Sequence, residues 1–288
     1  MKTAPRFNAT IRGARGSVPV SGMGFSQYGG NTPCVEVVVN RRRLILDAGS
    51  GVVPLGGEMT EEGARSIDLF LSHAHYDHVI GLPFFEPLMH PDVDLRLWYA
   101  GCDGAEDGPE LLEQLLRRPF LPFSPRDIRC RLHHIALPKD GRTELEEDII
   151  IRTLPLNHPG RATAMRIEAQ GCSLVYAPDF EADGGSGDAA LVEFMRGATL
   201  AFLDATYLPH EYPARKGFGH SHWQHCCALA DRADVFRWIP FHHNYTRTDV
   251  QMGHWARSLA DTTPKAQLMR EGGSVDILGL ADLSRQDC

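Results

Sequence analysis

Four side chains of metal-binding type fall within six residues at His73-Ala74-His75-Tyr76-Asp77-His78, directly after the apolar run Ile67-Asp68-Leu69-Phe70-Leu71. No other feature of the chain restricts its fold as tightly. The apolar run reads as a strand. In a turn leaving a strand, the alternate residues His73 and His75 can point to one side. Asp77 and His78, at the start of a following helix, then reach a neighbouring point. Imidazoles suit zinc, iron or manganese, and a carboxylate tolerates any of them. The bland alternative is a set of surface histidines with Asp77 as a helix cap, and four such groups at this spacing make it a poor one.

Further polar residues repeat the position. His158 in Pro155-Leu156-Asn157-His158-Pro159-Gly160, Asp179 in Val175-Tyr176-Ala177-Pro178-Asp179, and His242-His243 after Phe241 each close an apolar, strand-type run. Singly, each reads as a capped turn or a satisfied core residue. Together they call for strands whose ends converge on one sheet edge, where the active sites of sheet proteins collect.

The rest of the chain supplies such strands. Hairpin-type runs come first, at Cys34-Val35-Glu36-Val37-Val38-Val39 and Arg43-Leu44-Ile45-Leu46, the second ending in the turn Asp47-Ala48-Gly49-Ser50-Gly51. A helix is expected before the run at 67–71. Further strands are expected at 94–99, 149–154, 164–168, 172–176, 199–203 and 236–241, and helices near 109–118, 187–196, 222–233 and 248–260. The segment 103–109, rich in Gly, Asp and Glu, reads as a solvated loop. Hairpins first, then strands mixed with helices, suggest sheets covered by helices on the outside. No long linker divides the chain, so residues 1–288 read as one α/β domain.

Composition narrows the class. With 43% hydrophobic and 23% charged residues, the chain is an ordinary globular sequence. A net charge of −8 argues against holding long nucleic acid by counterion release. It leaves room for a small anion, because a local positive site can outweigh the global field. No apolar run approaches the roughly 20 residues needed to cross a bilayer, and Met1 to Thr10 carries no secretory signal core. The seven cysteines are odd in number and none forms a C-x-x-C pair, so neither a disulfide framework nor a thiolate zinc site is expected. A cytoplasmic location fits.

The histidine cluster resembles the metal motif of the metallo-β-lactamase superfamily. The order of the later single residues, His158, Asp179 and His242, is similar to its phosphodiesterase branch, which holds ribonuclease Z and the cyclic-phosphate phosphodiesterases. Gly13-Ala14-Arg15-Gly16-Ser17, Tyr28-Gly29-Gly30-Asn31-Thr32, Leu46-Asp47-Ala48-Gly49 and Gly219-His220-Ser221 extend the resemblance over most of the chain. It implies an αββα sandwich, two mixed β-sheets flanked by helices, with two divalent metal ions at the sheet edge, zinc first and manganese or iron next. By the resemblance His73, His75 and His158 hold one metal, Asp77, His78 and His242 the other, and Asp179 bridges them, while Asp47 orients the histidine motif. Two departures stand out. His222 stands where the family carries Thr after Gly-His-Ser, so His220 and His222 compete for one role. The doublet His242-His243 leaves the last ligand open; His242 follows the strand directly and is assigned, with His243 given a hydrogen-bonding or substrate role.

A phosphodiester suits such a site. Two divalent ions bring four positive charges; Asp77 and Asp179 remove two and a bridging hydroxide one, leaving about one for an anion that gains charge in the transition state. The leaving alkoxide still needs a proton, and a histidine is the usual donor. His220 is the candidate acid, with Asp204 in Leu203-Asp204-Ala205-Thr206-Tyr207 as the acceptor that holds its tautomer. Asp77, His220 and Asp204 are thus the candidate catalytic residues. His222 and His225 are expected to line a helix, His90, His133, His134, His210 and His254 to lie on the surface, and Tyr207 to contact substrate or be buried with a satisfied hydroxyl. The expected activity is a dinuclear phosphodiesterase acting on a small cyclic nucleotide or cyclic phosphate, with no long nucleic acid or membrane as partner and a homodimer compatible with it. Lactone or thioester hydrolysis, tRNA 3′ processing and a non-catalytic metal module are the alternatives.

Overall fold

The computed structural model describes residues 5–99, 107–138, 141–146 and 148–286. The first half runs β1 (Phe7–Gly13), β2 (Cys34–Val39), β3 (Arg42–Leu46), α1 (Val52–Glu61), β4 (Ser66–Leu71), α2 (Tyr76–Val79), β5 (Asp94–Tyr99), α3 (Asp107–Leu115) and β6 (Arg131–Ala136). The second runs β7 (Gly141–Leu145), β8 (Ile149–Pro155), β9 (Thr163–Ala169), β10 (Cys172–Ala177), α4 (Ser186–Met195), β11 (Leu200–Asp204), α5 (Trp223–Arg232), β12 (Arg237–Phe241), α6 (Asp249–Thr262), β13 (Ser274–Asp276) and α7 (Ile277–Gln286).

One sheet has the order β13-β1-β2-β3-β4-β5-β6, the other β12-β11-β10-β9-β8-β7. Each is mixed. In the first, β3 through β6 are parallel and the remaining pairs antiparallel. In the second, β10, β11 and β12 are parallel, and β9, β8 and β7 alternate. The sheets pack face to face over one core, with Ile11, Val37, Leu44 and Phe70 meeting Ile151, Ile167, Tyr176, Phe202 and Phe241. Their outer faces are covered by helices. Leu55 and Met59 of α1 pack on Ile45 and Leu69, while Leu191 and Met195 of α4, Leu229 of α5 and Trp255 of α6 pack on Val175, Ala201 and Leu203. This is the αββα sandwich.

Strand direction brings the polar residues together. Because β10, β11 and β12 are parallel, and β8 is antiparallel to a strand that is itself antiparallel to β10, all four end at one edge. His158, Asp179, Asp204 and His242 follow or close these ends. The parallel pair β3 and β4 delivers Asp47 and Ser72-His73 to the matching edge of the other sheet.

The strands and helices expected from apolar runs are present within two or three residues of their expected limits. β1, β6, β7, β13 and α7 were not among them. β6 and β7 are edge strands, half exposed along their length and lacking a continuous apolar run. Residues 103–106 of the expected loop lie outside the described residues, and 107–109 open α3. His133, His210 and His254 are exposed as expected. His90 and His134 are half-buried instead, and Nδ1 of His134 lies 2.8 Å from the Tyr99 hydroxyl. Cys34, Cys130, Cys172, Cys226 and Cys227 are free thiols, and Cys102 and Cys288 lie outside the described residues. Among the described residues no helix is long and apolar enough to cross a membrane.

Candidate metal centre

Two groups of potential ligands adjoin at the shared edge, linked by a third made of Asp179, His220 and His242. Potential ligand atoms of His73, His75, His158 and Asp179 all lie within 4.8 Å of one another, and so do those of Asp77, His78 and His242. Asp179 touches both groups. Its Oδ1 lies 3.1 Å from Nε2 of His78, and its Oδ2 lies 3.4 Å from Nε2 of His242 and 3.7 Å from Nε2 of both His73 and His158.

Hydrogen bonds from behind aim the imidazoles. Nδ1 of His78 donates to Asp47 at 2.7 Å, and Nδ1 of His158 donates to the Gly219 carbonyl at 2.8 Å. Nδ1 of His73 faces the Ser72 hydroxyl at 3.1 Å, and that hydroxyl donates to Asp47 at 2.8 Å. Nδ1 of His242 faces the Thr206 hydroxyl at 2.9 Å, which passes its own proton to Asp204 at 2.7 Å. In all four rings an oxygen behind Nδ1 suits a proton there, which would leave the inward Nε2 to a cation, the usual support of a metal-binding histidine. His75 differs: it is exposed, and its Nδ1 faces Nε2 of His158 at 3.1 Å.

Asp47 is the hub of this support. It accepts from the Ser72 backbone and hydroxyl, from His78, and from the Tyr176 hydroxyl of the facing sheet at 2.7 Å, while itself being fully buried. Asp47→Asn should therefore lower metal affinity by about 10–100-fold, the range for such outer partners, with little change in fold. Competition for metal against a chelator checks this, and wild-type affinity in Asp47→Asn would remove the orienting role.

Backbone strain gathers here too. Ser17, Asp47 and His242 hold φ of 68°, 61° and 56°, a left-handed region that a β-carbon disfavours. The strained turn at Ser17 aims its N–H at Oδ2 of Asp77, 2.7 Å away. Gly16 lets that turn approach: a β-carbon there would stand 2.3 Å from the His242 ring.

The protonation states suit cations at His73, His75, His158, Asp77 and Asp179 but not at His78. There burial opposes the charged ring, but Asp179, Asp77 and Asp47 outweigh it and raise the pKa well above the ordinary range, so that a cation would have to displace that proton. Burial, with the neighbouring His78, pushes His73 far below the ordinary histidine range, and burial lowers His75 and His158. Burial opposes ionisation of Asp77 and Asp179, but the surrounding histidines outweigh it and hold both carboxylates below their usual range. Neutral imidazoles and ionised carboxylates are the forms that ligate. Nε2 of His73 is buried with no hydrogen-bond partner, and Nε2 of His78 and Oδ1 of Asp179 meet each other at 3.1 Å without hydrogen-bond geometry. Such an orphan as Nε2 of His73 costs about 1–3 kcal/mol, and a divalent ion would give it a partner. The donor set therefore fits divalent metal ions, which the grouped histidines and aspartates would hold.

A family model described as a beta-lactamase superfamily domain matches residues 42–243, which include every one of these side chains. The chain belongs to this superfamily. Solved structures share its fold at low identity. YhfI from Bacillus subtilis, a metallo-β-lactamase fold protein, superposes with a TM-score of 0.70 at 17% identity, over 94% of this chain and 99% of its own. A diphosphatase of the PhnP family gives 0.68 at 19% identity, over 94% and 98%. The short form of human tRNase Z gives 0.66 at 14% identity, over 94% and 99%. No curated protein matches the sequence.

Within this superfamily fold, the remaining expected residues divide. His220 joins the cluster: Nδ1 lies 2.8 Å from Asp204 and 3.9 Å from Asp179, and the ring stacks on His242 with centroids 4.6 Å apart. His222 does not. It stands at the N-cap position of α5 without a capping hydrogen bond and stacks on His225 at 3.8 Å, beside Tyr212, and burial next to His225 lowers its pKa to about 4. His242 faces the cluster, whereas the His243 ring is buried against Trp255. Tyr207 is buried, its ring 6.2 Å from His220. Sequence reasoning missed Ser17, Ser72, Thr206, Tyr176 and Glu181. Ser72 adjoins His73 and Thr206 adjoins Tyr207, and that adjacency was the available signal for these two.

Proposed function

We propose that the protein is a metal-dependent phosphodiesterase acting on a small nucleotide-type substrate, such as a cyclic nucleotide or cyclic phosphate. The observation that carries this reading is the pair Asp204–His220, set against the seven-residue cluster. Two divalent ions held there supply positive charge for the phosphoryl oxygens and a nucleophile from water near neutral pH. The chain's own residues supply the rest. Asp204 accepts a hydrogen bond from the Nδ1–H of His220 and leaves Nε2 free to protonate a departing alkoxide. Burial disfavours the charged ring, but Asp204, with Asp179 and Asp77 behind it, outweighs burial and raises the pKa to about 9. Cation charge in the cluster acts in the opposite sense and brings the acid towards neutrality.

A phosphodiester with a poor leaving group needs such an acid more than a lactone or thioester does. The net charge of −8 favours a small substrate over RNA. Tyr76, between two ligands, and Phe218, two residues before His220, expose aromatic faces on which a base can stack. Zinc suits this nitrogen and oxygen donor set, and manganese and iron are the alternatives. A metal-replete panel of bis(p-nitrophenyl) phosphate, a lactone and a thioester tests the reading. The phosphodiester should show the highest kcat/KM, and cyclic nucleotides or cyclic phosphates should exceed tRNA precursors in a second panel. Preferred turnover of the lactone or thioester would replace the assignment.

A further inference from the structure

We infer that Glu181 is the positioning residue of the candidate acid, its carboxylate clamping the Gly217–Gly219 loop that presents His220. The inference rests on the reading of His220 as proton donor. Glu181 follows Asp179 beyond the end of β10 and is buried. Its Oε1 accepts from the Tyr212 hydroxyl at 2.8 Å and from Gly217 N–H at 2.8 Å. Its Oε2 accepts from Gly217 N–H at 3.0 Å and from Gly219 N–H at 2.9 Å. One carboxylate thus gathers two backbone donors and a phenol, all from the segment that leads to His220.

The other end of Glu181 is fixed as well. Its backbone N–H donates to the Asn157 carbonyl at 2.8 Å, and the Asn157 side chain donates to its carbonyl at 2.7 Å. The loop is thereby tied to the turn that carries His158. Gly219 closes the circuit, since its carbonyl receives Nδ1 of His158 at 2.8 Å. Gly217 and Gly219 hold φ of 88° and 85°, and a β-carbon on Gly219 would stand 2.5 Å from Nδ1 of His158. Glycines allow this close approach but leave the loop free to take other shapes. An ionised acceptor binds such donors more firmly than a neutral one, and it selects the shape in which His220 meets Asp204. A glutamine offers a single carbonyl oxygen and turns an amide towards a backbone N–H, so it would hold the loop only in part.

The test uses the metal-loaded full chain and aryl phosphodiesters of rising leaving-group pKa. Glu181→Ala should lower kcat by roughly 10–100-fold with poor leaving groups, the range for outer partners. The loss should be far smaller with p-nitrophenolate, with KM and metal content unchanged. Glu181→Gln should be intermediate. The double variant with His220→Ala should be no slower than His220→Ala alone, because the clamp acts through that ring. If Glu181→Ala does not fold, Glu181→Gln and Tyr212→Phe, which removes one donor, carry the same comparison. A loss equal across all leaving groups, or one that multiplies with that of His220→Ala, would make Glu181 a structural residue and overturn the inference. Metal loss in Glu181→Gln would place its action on His158 and overturn it too. A flat leaving-group profile in His220→Ala itself would remove the acid reading, whereas a steep profile there beside a flat one in Glu181→Ala would remove only the clamp.

Discussion

Asp179→Ala is expected to abolish turnover and to leave the protein short of its metal complement. Asp179 is the one carboxylate, among the described residues, whose oxygens approach imidazoles of both groups, at 3.1 Å from His78, 3.4 Å from His242 and 3.7 Å from His73 and His158. Its carboxylate is almost fully buried. Removing it withdraws the shared anion from both groups and leaves their imidazoles without the charge that balances two cations. The spacing between the ions, on which a two-metal clamp depends, is then undefined. The loss should exceed the about 10–100-fold typical of a supporting partner, because the missing group would itself be shared by both ions. Asp179→Asn keeps the volume and removes the charge. It should resemble Asp179→Ala if charge is the cause, and should recover towards wild type if the alanine effect came from a cavity. Elemental analysis beside turnover of bis(p-nitrophenyl) phosphate reads both quantities. Wild-type protein purified without chelator should carry about two equivalents of divalent metal. Asp179→Ala protein with the same content and normal turnover would show that another residue joins the two groups.

The site was legible where chemistry is local in the chain. His73, His75, Asp77 and His78 announce themselves by spacing alone. His158, Asp179 and His242 could be found because each closes an apolar run, and parallel strands carry such ends to one edge. What sequence left open was aim. His220 and His222 are two residues apart, and only the fold shows that the first faces Asp204 while the second stands at the N-cap position of α5 against His225. The same holds for His242 and His243, on opposite sides of one turn. Glu181 was illegible for a different reason. Its partners at 212, 217 and 219 lie more than thirty residues away and are mostly backbone N–H groups, which carry no sequence signature. Likewise Asp68 lies within an otherwise apolar strand, and nothing beside it in the chain signals its partners. It is buried and bound by Arg42, Arg96 and the Trp98 indole, three partners that lie on neighbouring strands. The strands β6 and β7 escaped notice because edge strands need bury only half their side chains.

His220→Ala should separate the acid from the ligands. Its Nδ1 is committed to Asp204 at 2.8 Å, so a role as donor uses Nε2 and leaves the seven-residue cluster intact. Metal content should therefore persist while the rate falls by roughly 10²–10⁴, the usual worth of a general acid. The loss should shrink for p-nitrophenolate, which leaves as a stable anion and hardly needs a proton. Asp204→Asn should lose less than His220→Ala, since it weakens the bond that fixes the tautomer without removing the donor. The Asp204 effect will extend further than the tautomer, however. Asp204 also receives the Thr206 hydroxyl that supports Nδ1 of His242, and the Phe180 backbone N–H at 3.0 Å next to Asp179. Some metal loss in Asp204→Asn is thus expected, and none in His220→Ala. His222→Ala should be mild on both counts, because that ring packs on His225 outside the cluster. The deciding measurement is the ratio of mutant to wild-type rate across phosphodiesters of increasing leaving-group pKa. A ratio independent of leaving group would take His220 out of the acid role. Loss of metal in the same variant would make His220 a ligand, which its place with Asp179 and His242 within 4.8 Å permits, and the assignment of His242 would then have to change.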